Sequence, residues 1–354
     1  MAGMNKEFNP VDYGLDPIEL CASNVENKPR IGIGLDSAVI PIKGTELSLL
    51  QTCDYFYPIV DDPYLMGRIT CANVMSDLFA MGVTKIDSLD LIMQNSTNMT
   101  EKEINVVVPL LIKGFQAAAS EVQCKASLST ITENPWCTIG GIATAVCRST
   151  EFIMPDKAEE GDVIVLTKAL GTQIACSIHH WIDIPEKWSK IKDIVKKEDL
   201  DKLLGQAICS MARLNHTAAV LMHKYNAHCC TDVTGFGILG HANNLAKFQK
   251  NQNLKFILEK LPVFQNVDKI AKTCNMSKLE KGICPETSGG LLICMSHENA
   301  RLFCQEIESL ENEKAWIVGH VEEGDGNPMA LLVSNPEIIQ AESTPNLTKF
   351  LEHI

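Results

Sequence analysis

Four aspartates sit inside apolar stretches of this chain, and no other feature restricts its folding so much. Asp36 follows Ile31-Gly32-Ile33-Gly34-Leu35. Asp54 lies within the strand pattern Leu49-Leu50-Gln51-Thr52-Cys53-Asp54-Tyr55. Asp77 falls in the helix pattern Asn73 to Gly82, and Asp232 precedes the turn Val233-Thr234-Gly235-Phe236-Gly237. A buried carboxylate is costly unless it is paired or ligates a metal, and none of the four has a neighbouring Lys or Arg in the sequence. Shared divalent cations account for all four. Hard oxygen donors suit Mg²⁺, which takes a few carboxylates together with water and substrate phosphates. Taken singly, each aspartate is also an ordinary turn or cap residue, and sequence spacing does not show that they converge.

The chain has 354 residues, a length that suggests about two domains. Strand and helix patterns alternate after a polar, Pro-interrupted start, and residues 1–30 read as a mobile arm. Strand patterns run from Glu46 to Tyr57, Ile86 to Met93 and Thr138 to Cys147. Helix patterns run from Gly67 to Met81 and from Glu101 to Val122, with Thr100 as N-cap. A second block begins near Pro155. It opens with the strand Val163–Leu166, continues with helices at Thr172–Trp181, Asp201–Tyr225 and Ile238–Gln249, and has later strands at Leu291–Met295 and Trp316–His320. The fold class expected is α/β or α+β in two domains, 31–155 and 156–354.

Composition excludes several functions. Hydrophobic residues make up 45% and the net charge is −13, with no dense Lys/Arg run. Nucleic acid and anionic membranes are therefore poor partners, whereas a polyanion such as ATP would need bridging cations. No stretch reaches the about 18 apolar residues of a membrane span, and no secretory signal is evident at residues 1–7. The 14 cysteines include no Cys-x-x-Cys pair. They read as reduced, mostly buried small hydrophobes in a cytoplasmic protein.

Three long N-terminal segments carry a resemblance: Gly32 to Pro41, Thr52 to Pro63 and Cys71 to Gly82. Two more follow, Thr231 to His241 and Pro285-Glu286-Thr287-Ser288-Gly289-Gly290-Leu291. In these the chain resembles selenophosphate synthetase (selenide, water dikinase), within the aminoimidazole ribonucleotide synthetase-like ATP-binding enzymes, most of all the animal form without catalytic Cys or selenocysteine. The resemblance implies two α/β domains, with the N-terminal domains of a homodimer sharing a β-barrel and binding ATP. It implies conversion of ATP, selenide and water to selenophosphate, AMP and phosphate. It also implies Asp36, Asp77 and Asp232 as Mg²⁺ ligands, Asp54 in the metal and phosphate shell, and Gly34 and Leu35 with backbone atoms near the nucleotide.

Two segments depart from the family pattern. Active members have a Cys or selenocysteine followed three residues later by Lys in a glycine-rich arm. Here the arm is short, Cys21 is its only cysteine, and Asn24 stands at the Lys position. Asp16, Glu19 and Glu26 disfavour a thiolate there, so Cys21 with Lys28 is a poor substitute pair. The family's Gly-Gly-x-Thr stretch is replaced by Leu128-Ser129-Thr130-Ile131, which adds Cβ atoms where a backbone approaches ATP. Two readings follow: an ATP-dependent phosphotransferase of this type whose selenide step these changes put in question, or a non-catalytic homodimer or heterodimer partner that regulates an active paralogue or the selenium and redox network. Other residues read as structural: His179 and His180 beside Trp181, Cys209 and Met211 as core filler, and Lys190 to Lys202 as a solvated helical face. His241 is close enough to Asp232 in sequence to lie at the site.

Overall fold

The computed structural model describes residues 36–341 together with residues 347 and 350. Its axis is α1 (Pro63–Ala80), whose apolar residues are spread all round the helix, so that it is enclosed on every side. Asp62 caps it by accepting from the Leu65 N–H at 2.9 Å, with Pro63 at the first helical position. Of residues 64–80, Asp77 alone is not fully buried.

One face of α1 lies on a mixed sheet of β1 (Ala38–Pro41), β2 (Leu47–Phe56), β3 (Ser88–Ser96), β4 (Ala126–Leu128), β5 (Thr132–Asn134) and β6 (Thr138–Arg148). The order is β1-β2-β6-β3-β4, with β5 also on β3. β4 and β5 run parallel to β3, and the other pairs are antiparallel. Helix α2 (Glu101–Glu121) begins with a capping box between Thr100 and Glu103. It crosses α1 closely enough that a Cβ on Gly67 would stand 2.0 Å from the Leu111 carbonyl oxygen, and one on Gly114 would stand 1.9 Å from that of Tyr64. The sheet's outer face mixes apolar and polar side chains, with Gln51 donating to Thr144 at 3.0 Å between them. Leu49 is in register with both Ile40 and Val146, and Tyr55 with Gly140, while Ile40, Tyr55 and Val146 are exposed.

The second sheet comprises β7 (Val163–Leu166), β8 (Cys229–Asp232), β9 (Leu254–Phe264), β10 (Leu291–Met295), β11 (Trp316–Glu323) and β12 (Met329–Ala341), ordered β12-β9-β11-β7-β10-β8. All its pairs are antiparallel except β12 with β9. Every residue of β7 and β10 is buried, because helices cover both faces. Those helices are α3 (Thr172–His179), α4 (Pro185–Ile191), α5 (Lys197–Ala212), α6 (His216–Lys224), α7 (Gly237–Phe248), α8 (Val267–Thr273) and α9 (His297–Glu311). Helix α1 also packs against α5, α6 and β8, which brings Asp77 to the end of β8.

The expected two-domain α/β architecture is the one observed. The single helix expected over Asp201–Tyr225 is two, α5 and α6. Arg213 turns extended to cap α5, and the Asn215 side chain is drawn into bonds with Ser76 and Gly289. The charged residues of Lys190–Lys202 are exposed as expected, but the segment spans the break between α4 and α5, and Ile191, Val195 and Leu200 are buried. The helix from Thr172 ends at His179 and tightens into a 3₁₀ turn over His180–Asp183.

Candidate metal and nucleotide site

Two elements of the first domain set out the site's polar groups in matching steps. On β2, Thr52 and Asp54 lie two residues apart on the face toward α1. On α1, Asn73 and Asp77 lie four apart on the face toward β2. Thr52 Oγ1 donates to Asp77 Oδ2, and Asn73 Nδ2 donates to Asp54 Oδ2 at 2.8 Å. Asp36 enters just before β1, where its Oδ1 accepts from Thr231 Oγ1 at 2.8 Å. Asp232 ends β8, and its Oδ2 accepts from Ser76 Oγ at 2.6 Å.

Asp36, Asp77 and Asp232 each offer a carboxylate oxygen, and these oxygens all lie within 4.8 Å of one another. Asp36 and Asp77 are half-buried, whereas Asp232 is 2% exposed. Burial, followed by the charge of Asp232, holds the carboxyl of Asp36 well above the usual range. Asp77 is raised likewise by burial and then by Asp232, Asp36 and Asp54. Burial also raises Asp232, against the opposing pull of Ser76 and Lys168. Asp36 Oδ2 is buried and has no hydrogen-bond partner among the described residues. Three crowded carboxylates with one oxygen left over are a poor arrangement for an empty pocket. They fit a hard divalent cation, whose charge reverses the repulsion.

Asp54 stands beside this group, outside the set of three mutually close oxygens, and burial followed by the Asp232 charge raises its carboxyl. Cys21, Lys28, Gly34 and Leu35 lie outside the described residues, as does the arm 1–30. Leu128 ends β4, and Ser129 to Ile131 link it to β5 at the sheet edge. Ser129 N–H donates to the Leu91 carbonyl at 3.0 Å, and no residue of 128–131 takes positive φ. His241 is neutral, its pKa lowered to about 4 by burial, and its Nε2 accepts from the Thr234 N–H at 3.0 Å. It therefore pins the loop after Asp232 and does not face the carboxylates as a ligand. His179 pairs with Asp201 at 3.3 Å on the surface.

Sequence reasoning assigned no role to Lys168, Asn73, Ser76, Asn215 or Glu286. Lys168 is 2% exposed, and its Nζ donates to the carbonyls of Arg213 at 2.7 Å and Ser288 at 2.9 Å. Ser288 N–H donates in turn to Asn73 Oδ1 at 3.1 Å, which leaves the Asn73 NH₂ to face Asp54. Glu286 accepts from the N–H groups of Gly171 and Thr172 at 2.8 and 2.9 Å, and so fastens the start of α3 to the turn before β10. The available signal was on α1, where Asn73, Ser76 and Asp77 are polar at i, i+3 and i+4 in an apolar helix.

The chain matches the AIR synthase related protein N-terminal domain over residues 34–147 and the AIR synthase related protein C-terminal domain over residues 159–329. It is 51% identical over 315 residues to selenide, water dikinase 2 of Mus musculus, covering 88% of this chain and 69% of the relative. It is 45% identical over 333 residues to selenide, water dikinase 2 of Drosophila melanogaster, covering 91% and 90%. Among solved structures, the fold is similar to AaThiL complexed with AMPPCP and TMP. The TM-score is 0.62 and the identity 17%, with 86% of this chain and 90% of the other covered.

Proposed function

The chain belongs to the selenide, water dikinase family, and from that premise we propose that it is an ATP-dependent phosphotransferase of the selenophosphate synthetase type in which Asp36, Asp77 and Asp232 hold Mg²⁺. The observation that carries this reading is the convergence of three carboxylate oxygens within 4.8 Å, beside a buried Asp36 Oδ2 that nothing else satisfies. Bound there, Mg²⁺ would bridge the triphosphate and stabilise charge on the moving phosphoryl groups. The chain's own part is orientation. Thr52, Ser76 and Thr231 each donate a hydroxyl proton to one carboxylate and fix its rotation. Asp54, held by Asn73, borders the phosphate path.

The apolar row of exposed Ile40, half-buried Leu49 and exposed Val146, with exposed Tyr55 farther along β2, supports homodimer formation through the outer face of the first sheet. A second reading, a non-catalytic partner of an active paralogue, is motivated by Asn24 at the position of the family's Lys.

Phosphorus NMR of the full chain with ATP, Mg²⁺ and selenide decides between them. Selenophosphate, AMP and phosphate formation, abolished by Asp232→Ala and retained by Cys21→Ser, is the expected result. No consumption of ATP would overturn the enzymatic reading and leave the partner reading.

A further inference from the structure

The structure assigns two further residues to the acidic site. We infer that Ser76 and Asn215 are positioning residues for Asp232, forming a one-way hydrogen-bond relay across the domain boundary. The inference rests on the reading of the acidic cluster as a divalent-cation site.

Ser76 is fully buried on α1, one residue before Asp77. Its Oγ donates to Asp232 Oδ2 at 2.6 Å and accepts from Asn215 Nδ2 at 3.0 Å. A serine hydroxyl has one proton. The amide nitrogen of Asn215 only donates, so the Ser76 proton is committed to Asp232. The amide orientation is fixed as well, because Asn215 Nδ2 also donates to the Gly289 carbonyl at 2.9 Å. Both hydrogens of the NH₂ are thereby used, and Asn215 is only 3% exposed.

Asn215 is held in turn by its junction between α5 and α6. Two residues earlier, the Arg213 carbonyl accepts from Lys168 Nζ, and the Arg213 guanidinium donates to the Thr167 carbonyl at 2.8 Å. The consequence is geometric. One turn of α1 carries Asp77 as a ligand from the first domain and, through Ser76, grips Asp232 from the second. The spacing of the two carboxylates is thus set by the bond that Asp232 accepts directly from Ser76, the neighbour of Asp77 on α1.

The test uses Mn²⁺ alone with the full chain, measured by the electron paramagnetic resonance signal of the free ion, with near-UV circular dichroism as a check on folding. Partners that orient metal ligands cost about 10- to 100-fold in metal affinity when removed. Ser76→Ala and Asn215→Ala should each weaken Mn²⁺ binding by about that factor with unchanged dichroism. Because they act in series, the double variant should lose no more than the weaker-binding single variant. In turnover, kcat should fall while KM for ATP changes little. If Ser76→Ala disturbs folding, Asn215→Ala alone carries the same prediction. Folded variants that bind Mn²⁺ like the wild type, or losses that multiply in the double variant, would overturn the relay. Absence of Mn²⁺ binding by the wild type would overturn the cation reading itself, and the relay with it.

Discussion

Thr231 donates its hydroxyl proton to Asp36 at 2.8 Å across 195 residues of sequence. That bond joins the start of the first sheet to the edge strand β8 of the second, one residue before Asp232. The same junction is made from the other side by Ser76 on Asp232. Each domain thus orients a carboxylate of the other, so the acidic site is complete only when both domains are docked. Binding of a cation between them is expected to tighten that docking.

The first prediction concerns stability without the cation. Asp36, Asp77 and Asp232 repel one another in partial burial, so one of them should be a net liability when no cation is present. Asp77→Asn keeps an oxygen for the Thr52 hydroxyl and removes a charge. Its melting temperature in EDTA should exceed that of the wild type. The wild type should gain stability on adding Mg²⁺, by about 2.7 kcal/mol at a hundredfold excess over Kd, and the variant little. A wild type whose melting temperature ignores Mg²⁺ would contradict this.

Glu286 gives a pH dependence of definite sign. Burial pushes its carboxyl up to about 7 from its ordinary value of 4.5, despite three donated hydrogen bonds from Gly171 and Thr172 that favour the charge. The thiols of Cys176 and Cys284 nearby are pushed up to about 12 and stay neutral. The folded state therefore holds a proton that the unfolded state releases. This contribution to stability is fully present below about pH 4.5 and is lost as pH rises through about 7. Glu286→Gln should flatten the pH dependence of the denaturation midpoint between about pH 5 and 8, at a cost of about 1–3 kcal/mol for the mismatched donor. An unchanged pH profile would refute the assignment.

The parts of the site that were legible in sequence were its charges. A carboxylate in an apolar run is conspicuous, and Asp36, Asp77 and Asp232 do meet. Lys168 was not legible, because its partners are carbonyls at Arg213 and Ser288, 45 and 120 residues away. Asn73, Ser76 and Asn215 are neutral and of ordinary type, so their roles exist only in the tertiary bonds they make. The same bonds explain why Asp201–Tyr225 is broken, since helix periodicity continues through Arg213–Asn215 until the side chain of Asn215 is recruited elsewhere. β9 and β12 were missed for a different reason. β12 is a half-exposed strand whose parallel partner lies far back in the chain, and it shows no clean alternation.

Two glycines near the site should respond oppositely to the same change. A Cβ on Gly290 would stand 2.4 Å from the Lys168 backbone nitrogen, where neither main chain can yield, while a Cβ on Gly235 would meet nothing within 4 Å. Gly290→Ala should cost about 3 kcal/mol by forced displacement of the Lys168 segment. Gly235→Ala, at a position without positive φ, should be neutral or stabilising by about 0.4–1 kcal/mol through the unfolded chain. Urea denaturation of the two variants tests the contrast. Equal midpoints would mean that the turn before β10 is looser than its contacts imply.

The last prediction concerns the outer face of the first sheet. Tyr55 is 66% exposed and Val146 is 40% exposed, on adjacent strands of a face that no helix covers among the described residues. Large apolar side chains left exposed together on a sheet face mark interaction surfaces. A charge placed there should oppose association without touching the core, because the inward residues of β2 alternate with the outward ones. Val146→Asp and Tyr55→Asp should each shift a dimer to monomer in sedimentation velocity, with melting temperature lowered only by the loss of association. The acidic site lies on the inner face, so the monomeric variants should still bind Mn²⁺. A variant that stays dimeric would exclude this face as the contact, and one that loses Mn²⁺ together with the dimer would mean that the partner chain helps to build the site.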